Sequence, residues 1–183
     1  TEDGPEIWDR SGAPVERPVM RLNWDPIQAE KGGYKHFMLK EIHEQPAVVG
    51  DTLHSYLDSA TRRVSLPALS FDWKRVSRVT MVACGTAYYA CLVAKYWFEQ
   101  LARLPVEVEV ASEFRYREPP LPPGGACIAV SQSGETIDTL EALRYAKSQG
   151  QSLLSVVNVP ESAIARLSNV VFRTDRKSTR LNS

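Results

Sequence analysis

Ser131-Gln132-Ser133-Gly134-Glu135-Thr136 set three hydroxyls, a carboxamide and a carboxylate around one glycine. They follow the apolar run Ala126-Cys127-Ile128-Ala129-Val130 and precede a helix-like stretch over 137–149. A strand that ends this way, turns at glycine and opens a helix gathers backbone N–H groups and a positive helix end at one point. Such a loop suits a phosphate, and its hydroxyls suit a sugar phosphate. The G-x-x-x-x-G-K-[ST] pattern is missing, so a nucleoside triphosphate is not expected. Simple helix capping by Ser133, with its side chain on the N–H of Glu135 or Thr136, would need one Ser rather than this cluster. A second turn, Cys84-Gly85-Thr86, also follows an apolar run. Alone it reads as a tight strand-to-helix turn with Thr as cap. No G-x-G-x-x-G follows, so a dinucleotide site is not supported. Its weight comes from pairing with the first loop.

The elements that must position these loops alternate. Apolar periodicity predicts strands over 79–84, 106–111, 126–130, 153–158 and 170–172, with helices over 86–102, 137–149 and 162–167. Residues 112–117 read as a short polar and aromatic connection. Pro119, Pro120, Pro122, Pro123, Gly124 and Gly125 form a stiff loop. The helix over 86–102 is apolar nearly all round, which predicts deep packing. Alternating Val and Glu over 106–111 predict an edge or one exposed face. Strand–helix alternation implies a parallel sheet covered on both faces, with ligands beyond the carboxyl ends of the strands. If strands 79–84 and 126–130 are neighbours, both loops face one pocket.

Upstream, 34–60 reads as helical, with Pro46 breaking or restarting the helix. Residues 61–74 read as irregular. The first 33 residues are rich in Gly and Pro. Glu6-Ile7-Trp8 and Pro14-Val15-Glu16-Arg17 flank Asp9-Arg10-Ser11-Gly12 and read as a hairpin with Gly12 at positive φ. Two short strands cannot hold a core alone, so the hairpin reads as the end of another domain. The last nine residues, Asp175 to Ser183, do not continue the α/β rhythm. They read as the translation of a sequencing-library adapter, a spurious tail.

The 183 residues are 43% hydrophobic, enough for one domain with a substantial core and an appendage. With 22 basic and 22 acidic residues the net charge is zero. Nucleic acid is therefore not an expected partner. No apolar run approaches a bilayer span, and no membrane association is expected. Cys84, Cys91 and Cys127 are odd in number and lack CxxC spacing, which argues against a zinc site or disulfide framework and favours reduced, buried thiols in a cytoplasmic protein. His36, His43, His54, Glu41, Glu44 and Glu135 are the acid–base candidates. The histidines lie far in sequence from both loops and read as surface or packing residues. Glu135 in a first helical turn favours the dipole in any case. No nucleophile–base constellation forms, so no catalytic residue, metal or cofactor is assigned. Trp8, Trp24, Trp73 and Trp97 read as core or interface packing residues.

At His36-Phe-Met-Leu-Lys-Glu-Ile-His-Glu-Gln-Pro46, Ala83-Cys-Gly-Thr86, Tyr96-Trp-Phe-Glu99, Ala111-Ser-Glu-Phe-Arg-Tyr-Arg117, Ser131-Gln-Ser-Gly-Glu-Thr136 and Asn158-Val-Pro160 the chain resembles the isomerising glutamine–fructose-6-phosphate aminotransferases. The S-Q-S-G-E-T loop marks the wider sugar isomerase (SIS) class. The K-E-I-x-E-Q-P and S-E-F-R-Y-R runs are specific to the aminotransferases. The resemblance implies a three-layer α/β/α, flavodoxin-like fold with a mostly parallel five-stranded sheet behind a short N-terminal hairpin. It implies a glutaminase remnant over 1–22, a linker over 23–33, a first SIS domain over 34–174 and the tail over 175–183. In that family fructose 6-phosphate and glutamine yield glucosamine 6-phosphate and glutamate, the entry to amino-sugar and UDP-N-acetylglucosamine synthesis. Ser131, Gln132, Ser133 and Thr136 would bind the sugar phosphate, with Cys84, Gly85 and Thr86 lining the same pocket. Many members have Ser where this chain has Ala87. The resemblance places the acid–base and imine chemistry in a second SIS domain and ammonia release in a glutaminase domain. This chain alone is then inactive, and the longer protein is a homodimer. Two alternatives stay open: a SIS-type sugar-phosphate sensor that regulates, and a stand-alone sugar-phosphate isomerase or deglycase.

Overall fold

The computed structural model describes residues 6–16 and 30–174. The tail over 175–183, and the linker over 23–33 except for its last four residues, lie outside them. The chain divides into two compact units, 1–43 and 44–183.

In the first unit Trp8 and Pro14 form an antiparallel bridge, and Val15 N–H donates to Ile7 O at 2.8 Å. Gly12 turns the chain at φ +80°, as a hairpin at this point requires. Asp9 anchors the turn. Its carboxylate accepts the Ser11 hydroxyl at 2.6 Å and the N–H groups of Ser11 and Ala13. These bonds, the Ser11 hydroxyl first, hold its pKa below the ordinary carboxylate value.

Helix α1 spans Phe37–Tyr56 without interruption. The expectation that Pro46 breaks it fails. Proline removes one N–H from the ladder and frees the carbonyl of Ile42, but both residues are exposed, so water can take the place of the lost donor. His36, His43 and His54 are exposed along this region, and the His43 ring stacks on Tyr34 at 5.4 Å. Near its end Thr52 Oγ1 bonds the Thr174 carbonyl. Tyr56 Oη accepts Arg173 N–H at 2.7 Å. A short antiparallel pair follows: β1 (Leu57–Asp58) takes up the end of the stretch expected to be helical, and its partner β2 (Arg63–Val64) lies in the stretch expected to be irregular.

The second unit is built on a five-stranded parallel sheet: β3 (Val79–Ala83), β4 (Val106–Val110), β5 (Ala126–Ser131), β6 (Ser152–Val157) and β7 (Val170–Arg173), in the order β4-β3-β5-β6-β7. β4 is an edge, as its Val/Glu alternation predicts. Glu107 and Glu109 are paired with Arg78 and Arg117. On one sheet face Val82, Ala129, Leu153 and Val157 pack under α3 (Ala111–Arg117), α4 (Ile137–Ser148) and α5 (Ala163–Leu167). Phe114, Leu143 and Ile164 are fully buried there. On the other face Met81, Ala83, Ile128 and Leu154 meet α2 (Gly85–Trp97), whose helix continues through a π-turn over Phe98–Ala102.

Two expectations are corrected here. The stretch over 112–117, expected to be a short connection, forms a helix together with Ala111, the expected last residue of a strand; the helix is pinned by Phe114 at 0% exposure and closed by Glu118 at φ +47°. α2 does not pack all round. Ala87, Tyr88, Cys91, Ala94 and Phe98 face the sheet, while Tyr89, Val93, Tyr96, Trp97 and Leu101 are exposed. A sheet face covers one stripe of a helix, so an apolar circumference alone does not dictate burial. Beside α2 an apolar groove of about 550 Å³ opens over Ile128, Val130, Leu154, Val156 and Phe172. Among the described residues no helix is long and apolar enough to cross a membrane.

Candidate functional site

The winding of the sheet fixes where a ligand can sit. From β3 the chain steps to β4 on one side, then returns to place β5 on the other. Direction therefore reverses between β3 and β5, which pair directly, Ala83 opposite Val130. In an open α/β sheet the crevice beyond the carboxyl ends at such a reversal is the ligand site. Cys84-Gly85-Thr86 leave β3 and Ser131 to Thr136 leave β5, so the topology brings both sequence-predicted loops to this crevice.

The β5 loop is tightly specified. Ser131 Oγ, 6% exposed, accepts Gly134 N–H at 3.1 Å and lies 3.3 Å from Thr136 Oγ1. Ser133 Oγ accepts Glu135 N–H at 3.2 Å. Ser133 and Gln132 are exposed and Thr136 is half-buried. The bond to Glu135 orients the Ser133 oxygen and leaves its O–H to donate outward. Thr136, not Ser133, is the N-cap of α4, and its side chain makes no cap bond. The first intrahelical bond runs from Leu140 N–H to Thr136 O at 2.9 Å. The N–H groups of Ile137, Asp138 and Thr139 thus have no acceptor within the helix. Together with the Ser133 and Gln132 side chains they form a donor set for an anion. Asp138, in this first turn, is paired with Arg115 at 2.8 Å, which offsets its charge.

The β3 loop is more open. Cys84 is the N-cap of α2 and makes no side-chain cap bond, so the expected Thr86 cap does not form. Gly85 is at φ +58° with nothing within 4 Å of where a Cβ would stand, and Thr86 is exposed. Thr139 Oγ1, from α4, donates weakly to Cys84 Sγ at 3.9 Å and links the two loops. Ala87 packs against the α2-side core. Burial pushes the other thiols up, Cys91 to about 11 and Cys127 to about 12. Among the described residues no cluster of His, Cys, Asp or Glu could hold a metal ion.

Sequence reasoning missed what stands behind the β5 loop. Ser162 Oγ lies where a Cβ on Gly134 would be only 2.0 Å away, and Gly134 is at φ +65°. Asn158 N–H donates to Gln132 O at 3.1 Å. Glu135 Oε1 accepts Ala163 N–H at 2.8 Å. Thr139 was likewise not singled out. Ser162 had a capping signal, and its Oγ accepts Ala165 N–H; nothing local signals its contact with residue 134.

Comparison with known proteins gives the family. Over 175 residues the chain is 57% identical to a glutamine–fructose-6-phosphate aminotransferase (isomerising) of Bradyrhizobium diazoefficiens. It is 53% identical over 174 residues to the protein of that name from Brucella abortus. Each match takes in 95% of this chain and 29% of the relative, so the chain spans about three-tenths of their length. The solved C-terminal domain of glucosamine-fructose-6-phosphate aminotransferase from Francisella tularensis superposes at TM-score 0.72 and 43% identity, over 80% of this chain and 42% of that one. A glucosamine-6-phosphate deaminase from Thermotoga maritima, 22% identical, shares the fold at TM-score 0.61 over 74% of this chain and 39% of its own. The SIS domain profile matches residues 74–180. With the parallel sheet, its point of reversal and the loop over 131–136, that match makes this chain a member of the SIS domain family.

Proposed function

We propose that the chain is the first SIS domain of an isomerising glutamine–fructose-6-phosphate aminotransferase. In this reading Gln132, Ser133 and Thr136, on a loop shaped by Ser131, hold the phosphate of fructose 6-phosphate, while Cys84, Gly85 and Thr86 line the sugar. The meeting of the two loops at the sheet's point of reversal carries it. The donors there are hydroxyls and backbone N–H groups rather than lysines, which suits a monoester phosphate attached to a polyol. Ser131 is buried, so its part is to shape the loop, and Ser133 makes the direct contact.

The relatives favour an aminotransferase over a regulator or a stand-alone isomerase. Their identity extends over 95% of the chain, well beyond the SIS match at 74–180, and so takes in residues upstream of it. The hairpin over 6–16 then ends a glutaminase domain. A second SIS domain supplies the acid–base and imine groups, and a homodimer working in the cytoplasm completes the enzyme for amino-sugar synthesis. No metal or other cofactor enters this scheme.

Titration of the chain with fructose 6-phosphate and with fructose tests the reading. Saturable binding that requires the phosphate is expected. Equal binding of both sugars, or of neither, would overturn it. The chain by itself should make no glucosamine 6-phosphate from fructose 6-phosphate with glutamine or ammonia, and measurable turnover would show that it holds the chemistry after all.

A further inference from the structure

Glu135 is the one ionisable side chain in the β5 loop, and its carboxylate is bonded to the segment that follows β6. Oε1 accepts the N–H of Ala163, the first residue of α5, at 2.8 Å. Beside it the Gly134 carbonyl accepts Ile164 N–H at 3.0 Å. Ser162 caps α5 and stands so close to Gly134 that no side chain fits at that position. Asn158, at the end of β6, donates to the carbonyl of Gln132. The loop is therefore tied at residues 132, 134 and 135 to one segment, 158–164, some 28 residues further on.

We propose that Glu135 is a positioning residue: through the N–H of Ala163 it clamps the 131–136 loop to the start of α5, so that Ser133 and the first N–H groups of α4 are preset for the phosphate. The inference rests on the sugar-phosphate reading of that loop. A carboxylate facing the ligand would repel a phosphate. Bonded to an α5 amide, it is useful as an acceptor and its charge is dispensable. An acceptor role and a charge role separate under substitution. Gln at 135 keeps an oxygen that can accept Ala163 N–H, whereas Ala removes it.

Amide exchange and calorimetry on Glu135→Ala and Glu135→Gln in the whole chain test this. In Glu135→Ala the N–H of Ala163 should exchange about tenfold faster or more, and fructose 6-phosphate should bind about tenfold more weakly. Glu135→Gln should stay within about threefold of the parent in both. Unchanged exchange in Glu135→Ala, faster exchange with unchanged affinity, or a Gln variant as impaired as Ala would each overturn the proposal. Should the parent chain bind no fructose 6-phosphate, the substrate reading fails while the exchange arm still decides whether the clamp exists.

Discussion

At Gly134 an added Cβ would lie 2.0 Å from Ser162 Oγ; at Gly85 it would meet nothing within 4 Å. Both glycines sit at positive φ, in loops leaving neighbouring strands of one sheet. The β5 loop is backed by α5, bonded through its backbone and closed over a buried Ser131. Among the described residues the β3 loop has one weak side-chain link, from Thr139 to Cys84, and open space around Gly85. A rigid loop beside an open one divides the work of a binding site. On the sugar-phosphate reading proposed above, the first presets donors for the phosphate, and the second leaves room for the sugar. Preset donors lower the ordering cost of binding.

The two glycines give the widest separation. Gly134→Ala combines a left-handed backbone with overlap against Ser162 and should destabilise the fold by roughly 3 kcal/mol. Gly85→Ala carries the backbone term alone, about 1–2 kcal/mol. Denaturant unfolding reads both, and equal losses would erase the distinction between the loops. Next come the hydroxyls. Ser133→Ala should cost about 1–3 kcal/mol of fructose 6-phosphate affinity, and Thr86→Ala about 1 kcal/mol or less. The reverse order would make the β3 loop the anchor. The smallest effects concern the thiols. Cys84, half-buried at the open loop, should react with a thiol reagent about tenfold or more faster than Cys91 and Cys127. Because burial raises the Cys91 and Cys127 pKa values to about 11 and 12, the folded chain keeps protons that the unfolded chain releases above pH 9. Their stabilising contribution is full below that pH and is lost as pH rises through 11 to 12. A stability that does not fall over this window would contradict such burial.

The strand rhythm was legible in sequence because parallel, buried strands read as short apolar runs: 79–83 and 126–131 stand within a residue of expectation. The site loops were legible because their hydroxyls cluster next to a glycine at a strand end. α3 was not, since a seven-residue helix is held by the burial of Phe114 more than by its own periodicity. The exposed side of α2 was not, since burial depends on what covers a helix. The apolar groove beside it also escaped pattern reading, because its walls come from segments far apart in sequence. The clamp behind the β5 loop joins residues 28 apart, a distance no local motif spans.

The central claim is that the 131–136 loop holds the phosphate. Amide chemical-shift mapping during titration with fructose 6-phosphate tests it most directly. The largest shifts should fall on Ser133 to Thr139, with smaller ones at Gly85 and Thr86, and inorganic phosphate should reproduce only the first set. Shifts centred on the apolar groove of Ile128, Leu154 and Phe172, or the same shifts from fructose without its phosphate, would contradict the account.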